Sequence, residues 1–289
     1  MVRFWSLVVD ALTLGSVYAF IALGFHLIYR AARMIDFAQG NKAVLGGLFA
    51  LTLVEGHVAP IAALFVVGVF GLAIGLVYDK VVIAPTQRNG TIAVVSATVG
   101  AALVIANISY MIWGSTGKPL KPLTAGRMSL GGVPLTYQSL WIWGTLVVVM
   151  AALMYGLRRT RFGRGMVAAS SDPFAATSIG VNVSTARSVT FALAFGLAAV
   201  GGVLVAPVTL AGGAIGATLT LKGFTGAVLG GLDDPVGAVV GSLILGLIEN
   251  LVGGYGPNGI ANPLDFGVLL LALLVVPRGI FAGARVREA

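Results

Sequence analysis

Cysteine is absent from the 289 residues, so disulfides and thiolate chemistry are excluded. Histidine is almost absent. His26 and His57 stand alone, and His26 has Ala22 and Arg30 one turn away on either side, which is no metal set. Charge is scarce at 10% of residues, against about 25% in an ordinary soluble domain. No HExxH, no G-x-S-x-G elbow and no GxxxxGK[ST] phosphate loop occurs. The nearest to the last is Gly114-Ser115-Thr116-Gly117-Lys118, which lacks its spacing. Asp233 and Asp234 form the closest carboxylate pair, and adjacent residues do not share a helix face. These absences argue against an enzyme, against a chain that hydrolyses ATP itself, and against a bound cofactor or metal.

What is present is apolar. Hydrophobic residues make up 58% of the chain, and glycine numbers 41. Apolar runs lie at about 11–35, 43–55, 60–79, 91–113, 138–157, 187–210, 223–231, 236–252 and 264–277. Most reach the roughly 20 residues that span a bilayer as a helix. They predict an all-α, polytopic transmembrane bundle of about eight spans, forming one domain over 1–289. The runs at 43–55 and 223–231 are too short to cross upright. They predict broken or re-entrant segments, which a membrane tolerates only where protein covers them or they line a cavity. Arg3 and Asp10 precede and interrupt the first run, which continues too far for a cleaved leader.

The net charge of +8 has no interleaved aromatic face, so nucleic acid is not an expected partner. Thirteen of the 18 Lys and Arg fall in one alternating set of loops, Lys42 among them, and five in the other, Lys222 among them. The richer set is expected inside, which places the C-terminus in the cytoplasm and lets the basic loops meet anionic lipid. Gly71 and Gly75, Gly226 and Gly230, and Gly237 and Gly241 each share a helix face and predict close helix packing. No internal repeat is visible along the chain.

The longest water-compatible stretch is 158–187. Arg158, Arg159, Arg161 and Arg164 hold it inside. Asp172 followed by Pro173 reads as an N-cap with proline at the first helical position, and Gly180 as a left-handed stop. Between them Phe174, Ala175, Thr177, Ser178 and Ile179 belong to a helix of about two turns, too short to stand alone in water. Phe174 and Ile179 are its large apolar groups. The segment is either a loop resting on its own bundle or a docking helix for a cytoplasmic partner.

Polar groups inside apolar segments are candidates for a solute pathway. Asp36 either pairs with Arg33 at the interface or lines a gate with Gln39 and Asn41. Glu249 and Asn250 mark either a helix end or the mouth of the pathway. Ser96 and Asn107 lie in or beside the 91–113 run, where such groups mostly bond backbone or a neighbouring helix. Asp265 reads as a first-turn acid of the last helix. From these residues alone a channel or an ion-coupled carrier stays open beside a subunit of a larger transporter, although carriers usually show ionisable residues at the midplane and broken helices in paired halves.

Four stretches add a resemblance. LGSVYAFIALGFHLIYRAARMIDFAQGNKAVLGG (14–47), RRTRFGRGMVAASSDPFAATSIGVNVSTARSVTFAL (158–193), GAVLGGLDDPVGAVVGSLILGLIEN (226–250) and LLLALLVVPRGIFAG (269–283) resemble, in order, the signature regions of the LivH-type permeases of the branched-chain amino acid ABC transporter family. The resemblance implies a bacterial inner-membrane importer subunit. It implies a second related permease or a second copy, two ATP-binding cassette ATPases that use ATP and magnesium, and a periplasmic substrate-binding protein. It makes 158–187 the ATPase-coupling segment. It implies amino acid transport, with urea, short amides and aromatic carboxylates as family alternatives. The sequence departs from the family pattern at Asp36, Gln39 and Asn41, where Asn, His and an acidic residue are common.

Overall fold

A computed structural model describes residues 2–114, 116–209, 211–212, 215–256, 261–276 and 279–281. Of these, 130, 162, 171, 173 and 261–263 are described by backbone alone. The helices are α1 (Val2–Ala32), α2 (Gln39–Glu55), α3 (Pro60–Tyr78), α4 (Ala84–Gln87), α5 (Thr91–Trp113), α6 (Tyr137–Arg159), α7 (Arg161–Ser171), α8 (Pro173–Ser178), α9 (Val183–Thr209), α10 (Gly216–Gly230), α11 (Pro235–Tyr255) and α12 (Ala261–Val275). A π-helical turn, Asp79–Ile83, joins α3 to α4. A two-stranded hairpin of β1 (Arg127–Leu130) and β2 (Val133–Thr136) precedes α6. Its two-residue turn is Gly131-Gly132, both at positive φ, the geometry that suits a tight hairpin.

Among the described residues six helices are long and apolar enough to cross a membrane: α1, α3 with its extension to Gln87, α5, α6, α9 and α11. The expected short segments are α2 and α10, of 17 and 15 residues, with α12 also at 15. At 1.5 Å per residue, α2 and α10 run about 22–26 Å, less than the ~30 Å core.

The two short helices explain each other. Gly40 in the first turn of α2 donates its N–H to Thr220 Oγ1 in the first turns of α10, at 2.9 Å. Thus the N-termini of α2 and α10 meet. α1 crosses α9 antiparallel: Gly201 faces Phe20, and Gly24 lies by Ala194. α2 runs along α9 with Gly202 against the Ala43 backbone. α10 runs along α1 with Gly223 against Ile21 and Ala22. The pattern continues outward. α3 packs on α9 as α11 packs on α1, through Gly75 on Ala192 and Gly246 on Ala11. α5 covers α2 as α12 covers α10. The chain therefore contains an inverted internal repeat of α1–α2–α3–α5 and α9–α10–α11–α12, which corrects the reading of the sequence as non-repeating. Lys42 and Lys222 are the buried lysines of α2 and α10, in the first and second turns respectively.

The glycine pairs do the expected packing. A Cβ on Gly75 would lie 2.5 Å from Ala192 Cα, and one on Gly71 2.9 Å from Gly196 Cα. Gly226, Gly230, Gly237 and Gly241 pack α10 against α11 in the same way. The main apolar core runs through α1, α2, α3 and α9. α5 and α6 are mostly outward-facing. A second cluster, of Leu27, Met166, Ala169, Ala176 and Ala186, ties α7 and α8 to α1 and α9.

Candidate functional site

The 158–187 segment forms two helices. α7 was not legible in the sequence, where its arginines read as loop. Thr160 caps it, accepting from Gly163 N at 3.0 Å. α8 is the expected short helix. Asp172 Oδ1 accepts from Phe174 N at 2.9 Å and Ala175 N at 3.0 Å, and Gly180 adopts φ +84°. Ala176 is the side that α8 buries. Phe174 and Ile179 point away, 82% and 75% exposed. Ala175, Thr177 and Ser178 are exposed, and both hydroxyls bond back to Phe174 O. Arg158, Arg159, Arg161 and Arg164 are exposed beside it. Arg187 is not part of that surface. It pairs with buried Asp79 in the π-helical turn (Nε to Oδ1, 2.8 Å) and bonds Gln87, while Ser188 Oγ bonds Asp79 at 2.6 Å. The start of α9 is thereby fastened to the base of α3.

Two buried charge networks lie along the repeat. In the first, Asp36 pairs with Lys42, both 1% exposed or less. Tyr78 OH donates to Asp36 Oδ1 at 3.0 Å, Ala38 N donates to the same oxygen at 2.9 Å, and Lys42 Nζ sits 4.0 Å from the Tyr78 ring centre. The expected Arg33–Asp36 pair does not form. Arg33 turns outward at φ +52° and pairs with Asp233 at 2.8 Å on the surface, while the chain carries Asp36 back into the bundle. Gln39 is fully buried, its Nε2 3.5 Å from Ala194 O. In the second network Lys222 pairs with Glu249 and lies 3.5 Å from Asp265 Oδ2. Tyr18 OH donates to Glu249 Oε2 at 2.9 Å. Asp265 is therefore no exposed first-turn acid. It is 1% exposed, and its Oδ1 has no partner among the described residues. Lys42 and Lys222, counted among the loops, are both interior, which removes one residue from each side and leaves the charge bias standing. Arg278, Arg285 and Arg287 lie outside the described residues.

The remaining candidates are dispersed. Asn41 is buried and lines a cavity of about 550 Å³ between α2, α5, α10 and α12. Asn250 bonds Gly246 O at 3.0 Å and lines a separate cavity of about 560 Å³ with Asp10, Arg127 and Gln138. Ser96 and Asn107 are on the exposed face of α5, and Asn107 bonds its own Leu103 O at 2.8 Å. His26 is fully buried with Nδ1 2.8 Å from Leu232 O, a packed imidazole that ties α1 to the end of α10. Among the described residues no three His, Asp or Glu converge as a metal site.

This architecture has known relatives. Residues 7–277 match the family described as branched-chain amino acid transport system / permease component. The chain belongs to that family. It is 29% identical to the high-affinity branched-chain amino acid transport system permease protein LivH of Escherichia coli K12, covering 96% of both chains. It is 28% identical to BraD, a permease protein of the same description from Pseudomonas aeruginosa, covering 97% of this chain and 96% of BraD. It is 26% identical to the ribose import permease protein RbsC of Escherichia coli K12, covering 90% and 82%. As a permease component with six apolar helices of spanning length, the chain is a multi-pass membrane protein and a transport subunit.

Proposed function

We propose that this chain is a membrane-spanning subunit of an ATP-driven importer in the bacterial inner membrane, passing branched-chain or other small amino acids delivered by a periplasmic binding protein. It works beside a second permease, a relative or another copy, with two ATP-binding cassette ATPases on the cytoplasmic side. Those partners bind the ATP and magnesium. The C-terminus faces the cytoplasm. The observation that carries the reading is α8. It is a capped two-turn helix held by Ala176 on its own bundle, with Phe174 and Ile179 left standing in solvent and four exposed arginines in the stretch just before it. A helix that only closed a loop would bury those side chains. One that docks in a groove presents them. The Arg187–Asp79 link gives displacement of α8 a route from the start of α9 into α3.

A 26% identical relative is named as a ribose import permease, which supports putting urea, short amides and aromatic carboxylates in the same assay. The test is reconstitution of the chain with its permease, ATPase and binding-protein partners in proteoliposomes. Labelled leucine and valine should accumulate with ATP and stop when ATP is withheld. Accumulation driven by an ion gradient with no ATPase present would replace this reading with an ion-coupled carrier.

A further inference from the structure

The cavity between α2, α5, α10 and α12 holds a polar group that the fold leaves unused. Asp265 lines it, is 1% exposed, and spends Oδ2 on Lys222, while Oδ1 has no partner among the described residues. An unmet buried carboxylate oxygen costs free energy unless something else binds it. The local charge count agrees. Lys222 brings one positive charge to a network with two carboxylates, Glu249 and Asp265, and Tyr18 adds only a hydroxyl donor. Counted at formal charges, two carboxylates face one ammonium beside the cavity.

The start of α10 offers a complementary group to the same cavity. Ala217 and Thr218 in the first turn of α10 line the cavity, and the residue before that turn, Ile215, supplies no side-chain cap. First-turn amides are free donors at the positive end of a helix and suit a carboxylate. Thr220 is already committed to Gly40 N–H and Gly216 O, whereas the side chain of Asn41 lines the cavity. The rest of the lining is apolar, with Leu103, Leu221 and Phe224 among it. The volume lies within the range of about 300–1,000 Å³ usual for small-molecule sites.

We propose that this cavity is a transient solute subsite for a zwitterionic amino acid with an apolar side chain. The ammonium group binds Asp265 Oδ1, the carboxylate binds the first turn of α10 with Asn41, and the side chain lies against Leu103 and Phe224. The assignment rests on the amino acid import proposed above. It puts the subsite where the N-termini of α2 and α10 meet, the place at which the inverted repeat leaves helix ends unburied by backbone of their own.

The experiment uses the assembled importer in nanodiscs, and labelled leucine as probe. Equilibrium binding is measured without binding protein, and ATP-driven uptake with it. In the wild type, 3-methylbutylamine, which keeps the ammonium, should displace leucine, and 4-methylpentanoate, which lacks it, should displace it at least tenfold less well. Asp265→Asn should weaken leucine binding about 30-fold or more and erase the preference for the amine. Because Asp265 also meets Lys222, a second variant guards against misfolding. Val99→Trp fills the cavity from a half-exposed position on α5 and replaces no charged residue. It should abolish leucine binding in a complex that still assembles. Full leucine binding in Val99→Trp overturns the subsite, as does unchanged analogue preference in a folded Asp265→Asn complex, or a wild type that imports leucine but shows no binding. Failure of the wild type to import any amino acid with ATP overturns the importer reading itself.

Discussion

Asp36 and Lys42 show how little of a site's chemistry follows from neighbours in sequence. The nearby Arg33 is the natural partner by proximity, but the backbone reverses there and exposes it, so its pair with Asp233 is worth about 0–1 kcal/mol. Lys42, by contrast, is buried in the first turn of α2 with its charge set against Asp36 and over the Tyr78 ring. Removing one member leaves an uncompensated charge in the interior, a loss of about 3–5 kcal/mol. Asp36→Asn should therefore lower the thermal unfolding temperature of the purified protein sharply. The double change with Lys42→Met should recover most of the loss. A solute profile that changes with Asp36→Asn while stability holds would show that Asp36 faces the pathway instead. Gln39 is buried with Nε2 against Ala194 O and Oε1 without a partner among the described residues, and Asn41 lines the cavity between α2, α5, α10 and α12.

At the scale of elements, α8 was legible because its signals are local. An Asp-Pro start, a glycine stop and two apolar side chains lie within nine residues. Phe174→Asp removes the exposed knob without disturbing Ala176 beneath. The variant should insert and assemble normally, yet ATP hydrolysis in proteoliposomes should no longer accompany uptake. Normal coupling would show that α8 does not dock. Asp172→Ala should cost about 0.5–2 kcal/mol of local helix stability, seen as faster amide exchange over 173–178. The link from α9 to α3 was not legible, because Asp79 and Arg187 are far apart in the chain and each looks like a loop charge. Arg187→Ala leaves Asp79 buried without its cation. It should reduce uptake and leave the exposed surface of α8, and so ATPase binding, intact. Lost ATPase binding would place Arg187 in the docking surface.

The whole molecule depends on backbone approach at the crossings of its two inverted halves. Gly75 meets Ala192 at a distance that admits no Cβ, and Gly202 faces the Ala43 carbonyl. Displacing backbone there costs about 1–3 kcal/mol or more. Gly75→Val should therefore give aggregated or proteolysed protein in detergent. Gly100→Ala and Gly144→Ala, which face open space, should elute as the wild type does. Equal behaviour of all three would mean the helices are not packed as described. The repeat escaped the sequence because membrane helices are built from one small apolar alphabet. Lys42 and Lys222 lie in different turns of α2 and α10 and take their counterions from different elements, so no shared motif marks them.

The sequence alone was enough to decide class and local order. Apolar run length requires a membrane bundle, because only satisfied backbone can cross a bilayer. Capping chemistry set α8 within a residue, and small residues four apart marked the packing faces. Tertiary structure decided which charges meet. Asp36 with Lys42, Asp79 with Arg187, and Lys222 with Glu249 and Asp265 are joined by helices crossing in space, and no periodicity along a chain encodes that crossing. It also decided that α2 and α10 start against each other, which turns two short apolar runs into opposed helix ends beside a cavity.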